Sequence, residues 1–173
     1  MPKFLVVYVT TVTAVNRGLF HLAAALMALI VPIMLYEVGS RYIFNAPTVW
    51  SLELALLLFG PYFLFGGPYL LHVKGHVSLD LITNNVSPAV RRGLGIFNQL
   101  VIIAFCSILF TYAWPLAMQS FAYKETSFSA WNPQIWHVKF TVPIAVALLA
   151  AQSIAELLLL IFQQSPVDVE AET

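Results

Sequence analysis

Residues 18–36 read GLFHLAAALMALIVPIMLY, with Arg17 immediately before them and Glu37 immediately after. A run of that length with charges only at its borders matches one crossing of a bilayer, which takes about 20 apolar residues as a helix. Moving outward, three more apolar runs follow at 52–71, 88–112 and 135–162. The chain therefore reads as an all-α integral membrane protein with four transmembrane helices, and 1–173 as a single membrane domain.

Composition agrees with that reading. Hydrophobic residues make up 60% of the chain and charged residues 9%, with a mean hydropathy of +0.85, whereas soluble domains carry about a quarter charged residues. Four spans consume the length, so no separate soluble domain fits. Formal net charge is zero, and no basic patch is interleaved with aromatics on a polar segment, which excludes a nucleic-acid partner. Cys106 is the only cysteine and sits in an apolar run, so the chain builds neither a disulfide framework nor a cysteine metal cluster.

The joints between spans are polar and turn-rich. Arg41, Asn45 and Pro47 separate the first two spans, and Asn132-Pro133 precedes the fourth. Residues 72–86 mix Val73, Val77, Leu79, Leu81 and Ile82 with His72, Lys74, His76 and Asp80, a pattern expected of an interfacial connector on the cytoplasmic face. Residues 164–173 form an acidic tail. Ser87-Pro88 is a good helix start. Pro61 and Gly66-Gly67-Pro68 predict a bend in span two. At the N-terminus, Phe4–Val9 is apolar but short and stops at Thr10-Thr11, so no cleaved signal is expected and the first span is placed after Arg17.

Lys3, Arg17, Lys74, Arg91 and Arg92 fall on one side of this topology, and Arg41, Lys124 and Lys139 on the other. The positive-inside rule then places both termini in the cytoplasm of a bacterial inner membrane protein. Trp50, Trp114, Trp131 and Trp136 cluster at the opposite side, as an aromatic belt does. Arg91 and Arg92 are candidates for contact with lipid headgroups.

Polarity within the spans is sparse. No charge falls at a span midpoint, and the neutral groups Ser107, Gln152 and Ser153 are expected to bond between helices or to their own backbone. Ala147, Ala151 and Ala155 give span four a smooth face for close helix approach. Arg41 and Glu53 are expected to pair at the interface. Nothing resembles a catalytic or phosphate-binding constellation, so catalytic, cofactor and metal residues are all read as none. The competing reading is a haem- or quinone-binding membrane anchor of a respiratory oxidoreductase, with His21 and His72 as axial ligands.

The stretch Arg41-Tyr42-Ile43-Phe44-Asn45-Ala46-Pro47-Thr48-Val49-Trp50-Ser51-Leu52-Glu53 resembles the small, DctQ-like permease subunit of tripartite ATP-independent periplasmic (TRAP) transporters. His76-Val77-Ser78-Leu79-Asp80 is similar to that family's element after the second span, and Ser127, Pro133, Trp136 and Pro143 sit where its later segments would place them. The chain departs from the pattern at Gly60-Pro61-Tyr62, Gly66-Gly67-Pro68 and His72. The resemblance implies a scaffold for a large permease subunit in sodium-coupled uptake of an organic acid delivered by a periplasmic binding protein. It places sodium and substrate on the large subunit and leaves this chain without a cofactor or an enzyme activity. Arg41, Trp50, Glu53, His76 and Asp80 become the residues expected to fix architecture and assembly.

Overall fold

In a computed structural model of the chain, residues 2–73 and 87–162 are described. Most of the connector, with His76 and Asp80, and the acidic tail lie outside the described residues. Four helices carry the rest: α1 Lys3–Tyr42, α2 Ser51–His72, α3 Pro88–Ala122 and α4 Trp136–Phe162. All four are long and apolar enough to cross a membrane. The fold is an all-α membrane protein, and its one departure among the described residues is an isolated antiparallel bridge between Thr126 and Gln134.

The first helix begins earlier than the sequence reading placed it. It runs unbroken from Lys3 through Arg17, and at 1.5 Å per residue its 40 residues span about 60 Å, twice the hydrocarbon thickness of about 30 Å. Thr10 does not break it, because its hydroxyl donates to the Val6 carbonyl one turn back at 2.7 Å. Val6, Val9, Thr13, Asn16, Ala23, Ile30 and Glu37 are its buried positions. Among them Val9, Asn16, Ala23, Ile30 and Glu37 recur every seven residues, the spacing of a seam packed against neighbouring helices.

A matching seam runs along α3, where Gln99, Cys106, Ala113 and Ser120 are buried. Its close approach to α4 is marked at Gly95, where an added Cβ would stand 3.2 Å from Leu160 Cδ1. The proline-bearing α2 continues through Pro61 and Pro68 to His72.

Helix α4 is the hub. It packs against α1, α2 and α3, α1 also packs along α2, and no comparable packing joins α1 to α3 among the described residues. Within their most apolar stretches, 39% of α4 is buried in the chain against 11% of α1 and of α3. The broad outer faces of α1 and α3 are apolar and uncovered, including Leu22, Leu29 and Leu35 on one and Phe97, Phe105 and Ile108 on the other.

Candidate functional site

Over barely more than one turn, α4 presents three polar side chains to three neighbours. Gln152, fully buried, accepts from Asn16 Nδ2 at 2.8 Å and donates to Thr13 Oγ1 at 3.3 Å, which fastens α1. Ser153, also fully buried, donates to Gln99 Oε1 at 2.6 Å and fastens α3. Glu156 Oε1 lies 2.5 Å from His72 Nδ1, which fastens α2, and accepts from Gln152 Nε2 at 3.1 Å. Polar groups inside a membrane protein persist when they satisfy one another across helices, and this clasp does so. Asn16 Oδ1 alone among these atoms is buried without a partner. Beside the clasp, Val6 and Val9 pack on Ala155 and Leu159, and Tyr8 donates to the Ala151 carbonyl at 3.0 Å. Ala155 and Ala151 thus serve close packing as expected, while Ala147 is exposed.

At the other end of the bundle the anchor is Glu37, only 5% exposed. One carboxylate oxygen accepts from Arg41 Nε at 2.9 Å and from its Nη2. The other accepts from Thr48 N at 3.2 Å, Ser51 Oγ at 2.7 Å and Thr48 Oγ1. This overturns the expected pairing of Arg41 with Glu53. Glu37 stands one turn before Arg41 on the same helix, the spacing at which helix side chains meet, and reaches it first. Glu53 instead accepts from Ser129 Oγ at 2.5 Å. Trp50 stacks on Tyr36 with centroids 6.0 Å apart.

The same end carries a short hairpin between α3 and α4. Ile135 N donates to the Glu125 carbonyl at 2.9 Å and Ser127 N to the Pro133 carbonyl at 3.0 Å. Lys139 Nζ lies 2.6 Å from Glu125 Oε2, and this ammonium holds the Glu125 carboxyl below its ordinary range. A groove of about 480 Å³ between α2 and α4, lined by Leu54, Leu58, Pro61, Trp131 and His137, lies beneath the hairpin.

Of the remaining candidates, Arg91 is exposed and Arg92 Nη2 donates to the Ile161 carbonyl at 2.6 Å, capping the end of α4. Ser107 bonds its own helix at the Ile103 carbonyl, 2.8 Å away. His21 is exposed while His72 is engaged by Glu156, so the two do not stand as a matched ligand pair. No group of three or more His, Cys, Asp or Glu able to hold a metal occurs among the described residues. The sequence reading missed Thr13, Asn16, Gln99 and the His72–Glu156 contact; the seven-residue recurrence in α1 and α3 was the signal available for Asn16 and Gln99.

The chain matches the family described as "Tripartite ATP-independent periplasmic transporters, DctQ component" over residues 30–163. That range contains His72, Gln99, Gln152, Ser153 and Glu156, the Glu37 knot and the hairpin. Among curated relatives, it is 32% identical over 98 residues to the sialic acid TRAP transporter permease protein SiaT of Haemophilus influenzae, covering 57% of this chain and 16% of that protein. It is 27% identical over 78 residues to the sialic acid TRAP transporter small permease protein SiaQ of Vibrio cholerae, covering 45% of each. The chain thus spans less than half the length of these relatives.

Proposed function

The chain belongs to the DctQ component of the tripartite ATP-independent periplasmic transporters, and on that premise we propose that this small permease subunit is a scaffold. It holds a large permease subunit in sodium-coupled uptake of an organic acid delivered by a periplasmic binding protein. The α4 clasp carries this reading: Gln152, Ser153 and Glu156 each engage a neighbouring helix rather than lining a path. In this proposal the chain performs no chemistry and holds no cofactor, and sodium and substrate bind the large subunit. An organic acid is supported by the names of the two relatives, both sialic acid transporters. The outer faces of α1 and α3 are the surface offered to the large subunit and to lipid.

Both termini are assigned to the cytoplasm from the lysine and arginine distribution, with the Glu37 knot and the hairpin on the periplasmic side. Arg41 and Trp50 brace the first loop, Glu53 ties α2 to the hairpin, and Arg91 and Arg92 face headgroups at the inner surface; His76 and Asp80 retain their proposed architectural role. The test is mild-detergent purification of the tagged chain from its native membrane with mass identification of what stays bound. A large polytopic permease is expected. Flavin or iron–sulfur subunits, or no stable partner, would overturn the scaffold reading. Glu53→Ala is expected to lower the yield of assembled complex while leaving the isolated binding protein's affinity for its ligand unchanged.

A further inference from the structure

Glu156 is the only acid on α4, and its contact with His72 joins α4 to the end of α2. Both side chains are nearly buried, with 12% of His72 and 11% of Glu156 exposed. The direction of the bonds is set by the chain of amides around them. Asn16 Nδ2 gives its proton to Gln152 Oε1, which leaves Gln152 Nε2 to donate to Thr13 and to Glu156 Oε1. The oxygen that meets His72 is therefore already an acceptor, and His72 Nδ1 is the donor to it. The second imidazole nitrogen, Nε2, is then the atom at which a proton can come and go. The other charged and titratable groups at this end of the bundle are engaged elsewhere or exposed. Tyr69 on α2 lies against the imidazole with ring centroids 6.1 Å apart. On α1, Tyr8 donates to the Ala151 carbonyl, while Arg17 and His21 are exposed. On α3, Arg92 caps the Ile161 carbonyl. None of these makes an ion pair with Glu156 among the described residues.

We infer that the joint between α2 and α4 is a pH-operated device, in which a proton gained from water at His72 Nε2 tightens the joint and its loss loosens it. Imidazole is the side chain that ordinarily exchanges its proton between about pH 5 and 8. The Nδ1 bond to Glu156 is made in both states, so the contact survives either way and what changes is its charge. A nearly buried carboxylate is costly unless a counter-charge stands beside it. At the acid end of the range the imidazolium is that counter-charge. At the alkaline end the imidazole is neutral and the negative charge of Glu156 stands alone. The stability that the joint contributes is therefore greatest at the lower pH and falls as the proton leaves. A lysine or arginine in place of His72 would hold the joint in one state throughout this range, and a glutamine would hold it in the other. On the topology proposed above the proton is exchanged with the cytoplasm, so the joint answers to cytoplasmic pH; only this sidedness rests on that reading.

The test follows the full chain, with whatever copurifies, in nanodiscs, where both membrane faces meet the same buffer. The thermal midpoint of the wild type is expected to stand roughly 2 to 4 °C higher near the acid end of the imidazole range than near its alkaline end. That difference is measured beyond any shown by His72→Gln, which is permanently neutral, and by His72→Arg, which is permanently charged. The same pH profile in the wild type and in His72→Gln would overturn the inference. Nitrogen-15 labelling of the four histidines reads the device in the wild type without any substitution. One imidazole is expected to keep its Nδ1 proton throughout while its Nε2 proton comes and goes. If no imidazole behaves in this way the inference is overturned, even where both His72 variants fail to fold. In oriented vesicles, a joint that answered only to the pH of the face assigned to the periplasm would overturn the topology and leave the device standing.

Discussion

At one end of the bundle the polar bonds join residues far apart in the chain: Asn16 to Gln152 across 136 positions and His72 to Glu156 across 84. At the other the Glu37 knot joins near neighbours, Glu37 to Arg41, Thr48 and Ser51 across 4 to 14 positions, with the Ser129–Glu53 bond as the long-range exception. The contrast bears on how the fold is completed. The first end stays unsatisfied until α4, the last helix, has inserted, whereas the Glu37 knot can close once α1 and the start of α2 are made. The clasp should therefore govern whether four helices become one body, and the knot should govern only the shape of its own loop.

The sharpest way to break that distinction is Glu156→Leu. It leaves His72 Nδ1 and Gln152 Nε2 without their carboxylate partner in a nearly buried site, where each polar group left unpaired costs about 1 to 3 kcal/mol. A large fall in the thermal midpoint in detergent is expected, with loss of complex yield. The double change with His72→Leu should cost less than the sum of the two single changes, since neither member of the contact is then left facing an absent partner. Strict additivity would show that the contact does not couple α2 to α4. Gln152→Leu comes next, at about 1 to 3 kcal/mol, because it strands the amide of Asn16. A neutral Gln152→Leu would mean that α1 is held by apolar packing alone.

How much of this was legible beforehand depends on which signal each residue sends. Hydropathy located four crossings, since lipid selects apolar residues on every outward face. That same uniform selection hides the inward face of each helix. Asn16 and Gln99 look like interruptions of apolar runs, yet they occupy the seven-residue seams of α1 and α3. The α1 extension was lost for the same reason, because Thr10 reads as a break although its hydroxyl bonds within the helix. Gln152 and Ser153 were legible as bonds between helices because they stand in the middle of a long apolar run. Their partners lie on α1 and α3, and no local pattern in one sequence names a partner so distant. Glu37 was read as the border of a span, which obscured its one-turn spacing from Arg41 and sent Arg41 to the wrong acid.

Glu37→Ala tests the local side of the comparison. It removes the acceptor shared by Arg41, Thr48 and Ser51, so residues 43–50 should become more open to limited proteolysis while the large subunit still copurifies. If Glu37→Ala abolished assembly as Glu156→Leu does, the division between a global clasp and a local knot would fail.

The smallest effect lies at Glu125, in the same loop region but partly open to solvent. Lys139 lowers the Glu125 pKa from its ordinary 4.5, so the folded state favours the ionised carboxylate more than the unfolded state does. The pair therefore stabilises the hairpin fully above about 4.5, and that contribution disappears as pH falls through the lowered folded value. Glu125→Gln should melt slightly below the wild type at neutral pH and coincide with it once the wild-type carboxylate is protonated. Added salt should narrow the neutral-pH gap, because a pair partly open to solvent is screened. A gap that persisted unchanged in acid would mean that Glu125 acts through the shape of its side chain and not its charge. Glu156→Leu compared with Glu156→Gln over the same salt range should respond far less, since the clasp lies where solvent and ions barely reach.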